Sequence, residues 1–369
     1  MKFTATVGEL LRALNLVGTV VSTKTTIPIL THVLIKAMPD NRVTVVGTDL
    51  ERECSADAPA EVEEIGAVAL PGDILKGVVS RLPKAGNMTI SLDQAKGRVS
   101  IISGRGKFAL HYLEPEDFPE AKTAEGAPFE IEAKKLLAIL EATVGTVATE
   151  SNRYYLCGVY LHVKDGALVA ASNDSYRMCR RTTDLPVGAE SLPGIIIPTA
   201  AVTTMMTLLE DCEHSVSMWV TRSRIWLKTK HAEFSTALIN GQYPDYERAI
   251  PPFNGAAATV SGADLAAAVE RAAATLPEAK AVGAGLTVTP DGLEIKVGPR
   301  NAETAVEHID AEIHKPHDEA VANAKFIAAM TKVWGTAPID IHLGAGRAAL
   351  VFTSKAIPEQ TYIIMPMKR

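Results

Sequence analysis

The side chains of this chain that could bind a metal ion or act as nucleophiles are its cysteines and histidines, four and nine in number. A zinc site needs several such ligands brought together, commonly through CxxC or HxxxH spacings. The cysteines are Cys54, Cys157, Cys179 and Cys212. They form no CxxC pair, and the closest histidines, His314 and His317, bracket a Lys-Pro turn with no third ligand nearby. We therefore expect buried free thiols, no metal and no cofactor.

Motifs for catalysis are absent as well. The sequence has no GxxxxGK[ST] loop, GxSxG elbow, HExxH helix or GxGxxG turn, and SGRGKF at Ser103 lacks the spacing to cradle a phosphate. The acidic run Glu61, Glu63 and Glu64 is typical of a solvated strand edge. A metal-dependent nuclease would need clustered carboxylates on adjacent strand ends. The sequence predicts a protein that is not an enzyme, and the alternative is a nucleic-acid-acting enzyme with an inter-domain site.

The composition is that of an ordinary globular protein, with 47% apolar and 22% charged residues. A formal net charge of -6 argues against affinity for nucleic acid over the whole surface, but it leaves a local basic surface open. The opening MKFTATVGELLRAL becomes amphipathic at once, unlike a signal peptide, and no apolar run approaches the length of a membrane span. We expect a cytoplasmic protein that does not bind membranes.

The pattern of predicted strands and helices, on which any functional site would lie, occurs in three copies. Each copy begins with a short alternating strand and continues with apolar residues at helical spacing. These segments are FTATVGELLRALNLV from Phe3, FEIEAKKLLAILEATV from Phe129 and ATVSGADLAAAVERAA from Ala258. Two alternating strands around a turn follow in each copy, and the turns are Pro39-Asp40-Asn41, Asp165-Gly166 and Asp291-Gly292. Second helices are predicted after Pro71, Pro198 and Asn323.

Segments rich in proline, glycine and charge separate the copies, namely EPEDFPEAKTAEGAP and GQYPDYERAIPPFNGAA. A chain of 369 residues also exceeds the size at which one core usually splits. We predict three similar α+β domains at residues 1–125, 126–253 and 254–369. Such domains can join edge to edge, and a closed ring leaves no strand edge open. This predicts a ring with sheets outside and helices inside.

The chain ends in an apolar segment that begins at Tyr362 and includes Met365 and Met367. A free apolar tail would fray and promote aggregation. We therefore expect the tail to dock on the folded protein.

The chain resembles the bacterial replicative sliding clamp, the beta subunit of DNA polymerase III, over its whole length. The matching segments are MKFT at the start, IPIL at Ile27, GTDLE at Gly47, SGRGKFAL at Ser103, DFP at Asp117, RYYLCG at Arg153, QYPDYERAIP at Gln242 and YIIMPMKR at the end. The resemblance implies a head-to-tail homodimer whose six domains surround a pore. It implies a ring threaded on double-stranded DNA that tethers the polymerase without reading sequence.

A pore of this kind should present loosely placed positive groups to phosphates. The helical residues that fit are Arg12, Lys76, Arg81, Lys134, Lys135 and Lys332. By resemblance, Lys24, Tyr154 and Tyr155 match loop positions that touch DNA in the family. The alternatives are the charged faces of ordinary amphipathic helices and, for the tyrosines, strand packing. The helix after Thr199 carries no lysine or arginine.

The resemblance further implies a cleft for short peptide motifs of the DNA polymerase III catalytic subunit, the clamp loader and other replication or repair proteins. Its residues would be Leu156, Asp174, Tyr176, Arg177, Met178, Pro244, Arg248, Ile363, Ile364, Met365, Pro366 and Met367. The alternative for the tail residues is a strand end that seals the third core. Ser175, Tyr176 and Met178 depart from the residue types usual in the family.

The dimer contact implied by the resemblance lies between an edge strand of the first domain and the far side of the third. Its residues would be Arg105, Lys107, Phe108, Leu110, Leu276, Glu303 and Glu307. Phe108 and Leu110 would be the apolar anchors. The sequence thus predicts a DNA polymerase processivity factor, and a monomeric peptide-binding scaffold is the remaining alternative.

Overall fold

A computed structural model of the chain describes residues 1–22, 24–120, 127–253, 255–276, 281–298, 304–344 and 348–367. Six α-helices lie within these ranges. They are α1 (Val7–Val17), α2 (Gly72–Val79), α3 (Ala133–Val144), α4 (Thr199–Leu209), α5 (Gly262–Ala273) and α6 (Ala324–Trp334). Among the described residues, no helix is long and apolar enough to cross a membrane. All six helices lie where the repeated pattern predicts them, so this prediction is confirmed.

The same ranges contain 25 strands. They are β1 (Lys2–Thr6), β2 (His32–Met38), β3 (Arg42–Thr48), β4 (Arg52–Glu64), β5 (Gly66–Pro71), β6 (Asn87–Asp93), β7 (Arg98–Ser103), β8 (Gly106–Leu110), β9 (Phe129–Glu132), β10 (Gly158–Lys164), β11 (Ala167–Asn173), β12 (Arg177–Asp184), β13 (Ile195–Pro198), β14 (Ser215–Val220), β15 (Arg224–Lys228), β16 (Ala232–Ala237), β17 (Ala258–Ser261), β18 (Gly283–Thr289), β19 (Gly292–Val297), β20 (Ala305–Ile309), β21 (Ala311–Ile313), β22 (His317–Asn323), β23 (Pro338–His342), β24 (Leu350–Thr353) and β25 (Gln360–Ile364). The mixture of helices and antiparallel sheets confirms the α+β class.

Local sequence explains the elements and their turns. In α1 the apolar residues Leu10, Leu14 and Val17 recur at helical spacing, and all three are buried. The hairpin turns use residues that tolerate positive φ, with Asn41 at 58° after β2 and Asp165 at 50° after β10. The predicted hairpin positions are therefore confirmed.

The chain divides into two compact units. The first comprises residues 1–137, 186–189 and 200–238. It contains one twelve-stranded sheet with the order β8-β7-β6-β1-β4-β16-β15-β14-β9, in which β3 also pairs with β4 and β2 pairs with β3 and β5. The second unit comprises residues 138–185, 190–199 and 239–369. It contains a nine-stranded sheet, β13-β10-β11-β12-β25-β24-β23-β17-β21, and a four-stranded sheet, β20-β19-β18-β22.

Both large sheets continue across the predicted domain limits. In the first unit, β4 pairs with β16 so that Cys54 lies opposite Phe234. In the second unit, β12 pairs with β25 so that Cys179 lies opposite Tyr362. This edge-to-edge joining was predicted and is confirmed. The compact units do not end at residues 125 and 253, because hydrogen-bonded sheets run through those limits, and the three-domain division stays a prediction.

Candidate functional site

Asp174 holds the turn between β11 and β12. Its carboxylate accepts hydrogen bonds from the backbone N–H groups of Tyr176 at 3.0 Å and Arg177 at 2.9 Å. It also accepts one from Nε of Arg177 at 2.8 Å. Ser175 completes the turn in the left-handed region with a φ of 76°. The turn directs Tyr176 outward, and this residue is 62% exposed.

Arg177 and Phe326 form a rigid wall beside this turn. The guanidinium carbon of Arg177 lies 4.6 Å from the centre of the Phe326 ring, which is a cation–π contact. The Tyr176 ring is tilted against Phe326 with 6.5 Å between ring centres. Because Asp174 fixes the same guanidinium, the position of Phe326 is coupled to the turn.

The apolar tail docks against this wall through its backbone. The N–H of Met365 donates to the carbonyl of Tyr176 at 2.7 Å. Two residues later, the N–H of Met367 donates to the carbonyl of Val321 at 2.8 Å. The prediction that the tail docks is confirmed.

A pocket of about 370 Å³ opens between the tail, the turn and α6. Its lining residues are Tyr176, Ala281, Asn323, Phe326, Met365, Pro366 and Met367. None of these side chains is an aspartate, glutamate, histidine, lysine or arginine, and the two methionines can repack around ligands of different shape. Tyr176, Met365, Pro366 and Met367 were predicted from the sequence, whereas Ala281, Asn323 and Phe326 were not. One signal was available, since Phe326 is the only aromatic residue in the first turn of any of the six described helices.

The other predicted cleft residues lie beside the pocket or beneath it. Leu156, Met178 and Ile363 are buried in one apolar cluster with Tyr243 and Tyr246. We call this set of five residues the cleft floor.

Pro244 and Arg248 flank Tyr246 in sequence and are exposed, and Nε of Arg248 bonds to Asp245 at 3.0 Å. Ile364 has no exposed surface, and it packs with Tyr362 in the hydrophobic core of the third copy. Its side chain therefore seals the core and does not line the pocket.

The basic helical candidates differ in how free their charges are. Arg81, Lys134 and Lys332 are exposed, and Lys76 is half-buried. Arg12 is engaged within the chain, because Nη2 lies 2.8 Å from a carboxylate oxygen of Glu9 and donates to the carbonyl of Asp57 at 3.1 Å. Lys135 pairs with Glu132 at 2.8 Å. These pairings reduce the positive charge that Arg12 and Lys135 can offer to a phosphate.

The loop residues predicted to touch DNA also differ in their exposure to solvent. Lys24 is exposed, and Tyr154 is 53% exposed. Tyr155 packs against the cleft floor, and the two tyrosine rings meet edge to face with centres 5.7 Å apart. Tyr154 is thus placed to contact a ligand, whereas Tyr155 contributes to packing.

Of the predicted dimer residues, Lys107, Phe108 and Leu110 lie in the edge strand β8 and Glu307 lies in the edge strand β20. Phe108, in the edge strand β8, is 36% exposed, and Arg105 and Lys107 are exposed beside it. Leu276 packs against the core of the second unit. Glu307, in the edge strand β20, forms an ion pair with Arg271 of the same chain at 2.7 Å, and this pairing lowers its pKa. Glu303 lies outside the described residues.

The described residues contain no group of three or more histidine, cysteine, aspartate or glutamate side chains that could hold a metal ion. All four cysteines are free thiols. Burial raises the pKa of Cys54 to about 12, so this thiol is not a reactive nucleophile at neutral pH.

Comparisons with known proteins agree with this geometry. Residues 1–122 match the family model of the DNA polymerase III beta subunit, N-terminal domain. Residues 130–245 match that of the DNA polymerase III beta subunit, central domain. The beta sliding clamp of Caulobacter vibrioides is 28% identical over 374 residues, with both chains covered completely. That of Escherichia coli is 26% identical over 372 residues, again with complete coverage.

Solved structures show the same fold. A sliding clamp from Bartonella birtlesii, bound to griselimycin, is 28% identical and superposes with a TM-score of 0.93 over all of both chains. The DNA polymerase III subunit beta from Pseudomonas aeruginosa is 26% identical and superposes with a TM-score of 0.91 over all of both chains.

The left-handed conformation of Ser175 gives a stability prediction. Ser175→Gly and Ser175→Ala both remove the hydroxyl that contacts Arg153, but only glycine also removes the steric conflict at positive φ. We expect the glycine variant to be more stable to chemical denaturation than the alanine variant by about 1 kcal/mol. An alanine variant of equal or greater stability would contradict the strain at this turn.

Proposed function

The chain belongs to the DNA polymerase III beta subunit family, and we propose that it acts as a ring that encircles double-stranded DNA and tethers the replicative polymerase. As a sliding clamp it is a processivity factor and a non-catalytic subunit. A tether of this kind acts by raising the effective concentration of the polymerase at the primer end. We propose a cytoplasmic location, where replication takes place.

The repeated junction between copies carries the proposal of a closed ring. β4 of the first copy pairs with β16 of the second, and β12 of the second pairs with β25 of the third. In the third copy, the strand at the position of β4 and β12 is β20. In the first copy, the strand at the position of β16 and β25 is β8. Both β20 and β8 are sheet edges in the described chain. Pairing β20 with β8 of a second copy would close a head-to-tail homodimer with three domains per chain, at residues 1–125, 126–253 and 254–369.

DNA contact through this ring is weak and independent of sequence. The exposed cations Lys24, Arg81, Lys134 and Lys332 are scattered along the sequence, Arg81 also donates to the carbonyl of Gly77 at 2.6 Å, and α4 carries no lysine or arginine. Few DNA phosphates would be neutralised at once, so retention of the protein on DNA would depend on closure of the ring.

Partner proteins would bind through the pocket and the cleft floor. An apolar pocket with one amide, that of Asn323, suits a short peptide with apolar anchors and one polar side chain. Griselimycin bound to the relatives from Bartonella birtlesii and Pseudomonas aeruginosa shows that family members take ligands other than DNA. We propose the polymerase catalytic subunit, the clamp loader and other replication or repair proteins as partners of this cleft.

The topological mechanism is tested by retention on DNA. Rings loaded by a clamp loader onto nicked circular DNA should stay bound through gel filtration and be lost when the circle is linearised. Linear DNA with blocked ends is the control and should retain the ring. Equal retention on circular and open linear DNA would contradict encirclement.

The proposed dimer edge is tested by Phe108→Asp combined with Leu110→Asp. Burying two unpaired carboxylates costs several kcal/mol, so folded monomers are expected in analytical ultracentrifugation. Val187→Asp is the matched control, because Val187 is an exposed apolar residue outside the strands and its replacement should leave the dimer intact. A double variant that dimerises with unchanged affinity would remove β8 from the interface.

The cleft is tested by ending the chain at Ile364. This deletion removes Met365, Pro366 and Met367 from the pocket but keeps the buried Ile363 and Ile364. Each fully buried apolar side chain is worth roughly 1.5 to 3 kcal/mol, so the affinity for a fluorescent peptide with Gln, Leu and Phe should fall by more than about tenfold.

Dimer mass and melting temperature should be retained by the truncated chain. Ile27→Ala, which trims an exposed apolar side chain elsewhere, is the control and should bind the peptide normally. Unchanged affinity of the truncated chain would place the partner site elsewhere, and a collapsed melting transition would show that the tail is needed for the third core.

A further inference from the structure

Four rings pack together beside the cleft floor, namely Tyr160, His162, Tyr243 and Tyr246, and we call them the His162 cluster. Tyr160 stacks on Tyr243 with centres 4.7 Å apart, and it meets His162 edge to face at 4.5 Å. His162 in turn stacks on Tyr246 at 5.7 Å. The position of Tyr246 therefore depends on His162.

The His162 cluster supports the cleft directly. Tyr243 and Tyr246 belong to the cleft floor together with Leu156, Met178 and Ile363. Pro244 lies between the two tyrosines in sequence, and Tyr246 begins the 3-10 turn that carries Arg248. A displacement of Tyr246 would thus move both the floor and the exposed rim of the cleft.

A hydrogen bond joins His162 to Tyr246. Nε2 lies 3.0 Å from the Tyr246 hydroxyl, and a neutral imidazole can either accept or donate at that nitrogen. An imidazolium can only donate there, and it also carries an N–H at Nδ1. Nδ1 is buried and has no hydrogen-bond partner among the described residues.

The charges that face His162 oppose a second proton. Burial lowers the pKa of His162, and the cations Lys164 on β10 and Arg180 on β12 lower it further. Glu247 raises it, but this carboxylate is bonded to Lys164. Burial also raises the pKa of Tyr246 to about 12, so the phenol keeps its proton throughout the neutral range.

We propose that protonation of His162 is a pH-sensitive switch that loosens the cleft floor and weakens the binding of partner peptides as the medium becomes acidic. A second proton would make both ring nitrogens donors, although Nδ1 has no acceptor among the described residues, and would place a positive charge in the buried His162 cluster. The new cation would also be repelled by the positive charge of Arg180. This inference rests on the proposed peptide cleft.

The direction of the effect follows from proton linkage. In the packed arrangement the pKa of His162 is depressed below the usual value near 6.5, whereas a loosened arrangement restores it. The packed arrangement therefore keeps its full stability above about pH 6.5 and loses it as the pH falls below that value. Since one proton is involved, the affinity changes by at most about tenfold per pH unit.

The test uses the full-length protein and a capped peptide that carries Gln, Leu and Phe, no ionisable side chain and a pH-insensitive fluorophore. The affinity of the wild type should fall about three- to tenfold between about pH 7.5 and 5.5. His162→Gln should bind with an affinity that is flat over this range, because its amide can still accept from Tyr246. The matched control is His342→Gln, which replaces an equally buried histidine of the same unit whose ring nitrogens bond to Gly255 and Thr353. It should keep the pH dependence of the wild type.

A second measurement needs only the wild type. Calorimetry near pH 6 in two buffers of different ionisation enthalpy should show that peptide binding releases a fraction of a proton. Absence of proton release, or an equal fall in affinity in His162→Gln, would overturn the switch. Absence of peptide binding at pH 7.5 would instead overturn the proposed cleft, so the two failures are distinguishable.

Discussion

The pairing of strand edges between successive copies is the interaction on which the rest of this structure depends. An unpaired edge exposes a row of backbone donors and acceptors. The chain satisfies two such edges internally, through β4 with β16 and β12 with β25. The second pairing places Arg177 opposite Ile364, so the turn at Asp174 and the end of the chain lie side by side. The cleft is a consequence of this register, and β8 and β20, which occupy the same positions in their copies as the strands joined at these junctions, are sheet edges among the described residues.

The two internal junctions use the same turn but surround it with different side chains. Asp49 accepts from the backbone N–H of Arg52 at 2.7 Å, as Asp174 does from Arg177, and Leu50 has a φ of 79° where Ser175 has 76°. At the first junction, however, Glu51 occupies the position of Tyr176. Arg52 is also turned toward the polar groups of Ala200 and Thr204 on α4, whereas Arg177 covers the ring of Phe326. The arginine of the first junction thus bonds to polar groups of α4, whereas the arginine of the second packs on an aromatic ring that lines the pocket.

The docking of the tail repeats a contact made by every copy. Leu113, three residues after β8, exchanges backbone hydrogen bonds with Ala69 of β5. Ile239, after β16, donates to Ile196 of β13, and Met367, after β25, donates to Val321 of β22. In the first two copies the chain continues and buries Phe118 or Tyr246 against the same sheet. In the third copy Met365 and Met367 follow the strand and line the pocket.

The sequence by itself determined the repeated elements, because hydrophobic periodicity and turn residues act locally. It also determined that no catalytic motif exists and that an apolar tail must dock. Tertiary structure decided which residues form the site. Asn323 at the end of β22 and Phe326 on α6 line the pocket although they are distant in sequence from Tyr176. Arg12 is engaged by Glu9 and the carbonyl of Asp57, and Ile364 is turned into the core. These outcomes depend on strand register and long-range packing, which decide which distant segments meet, and the local pattern of one segment does not encode its partners.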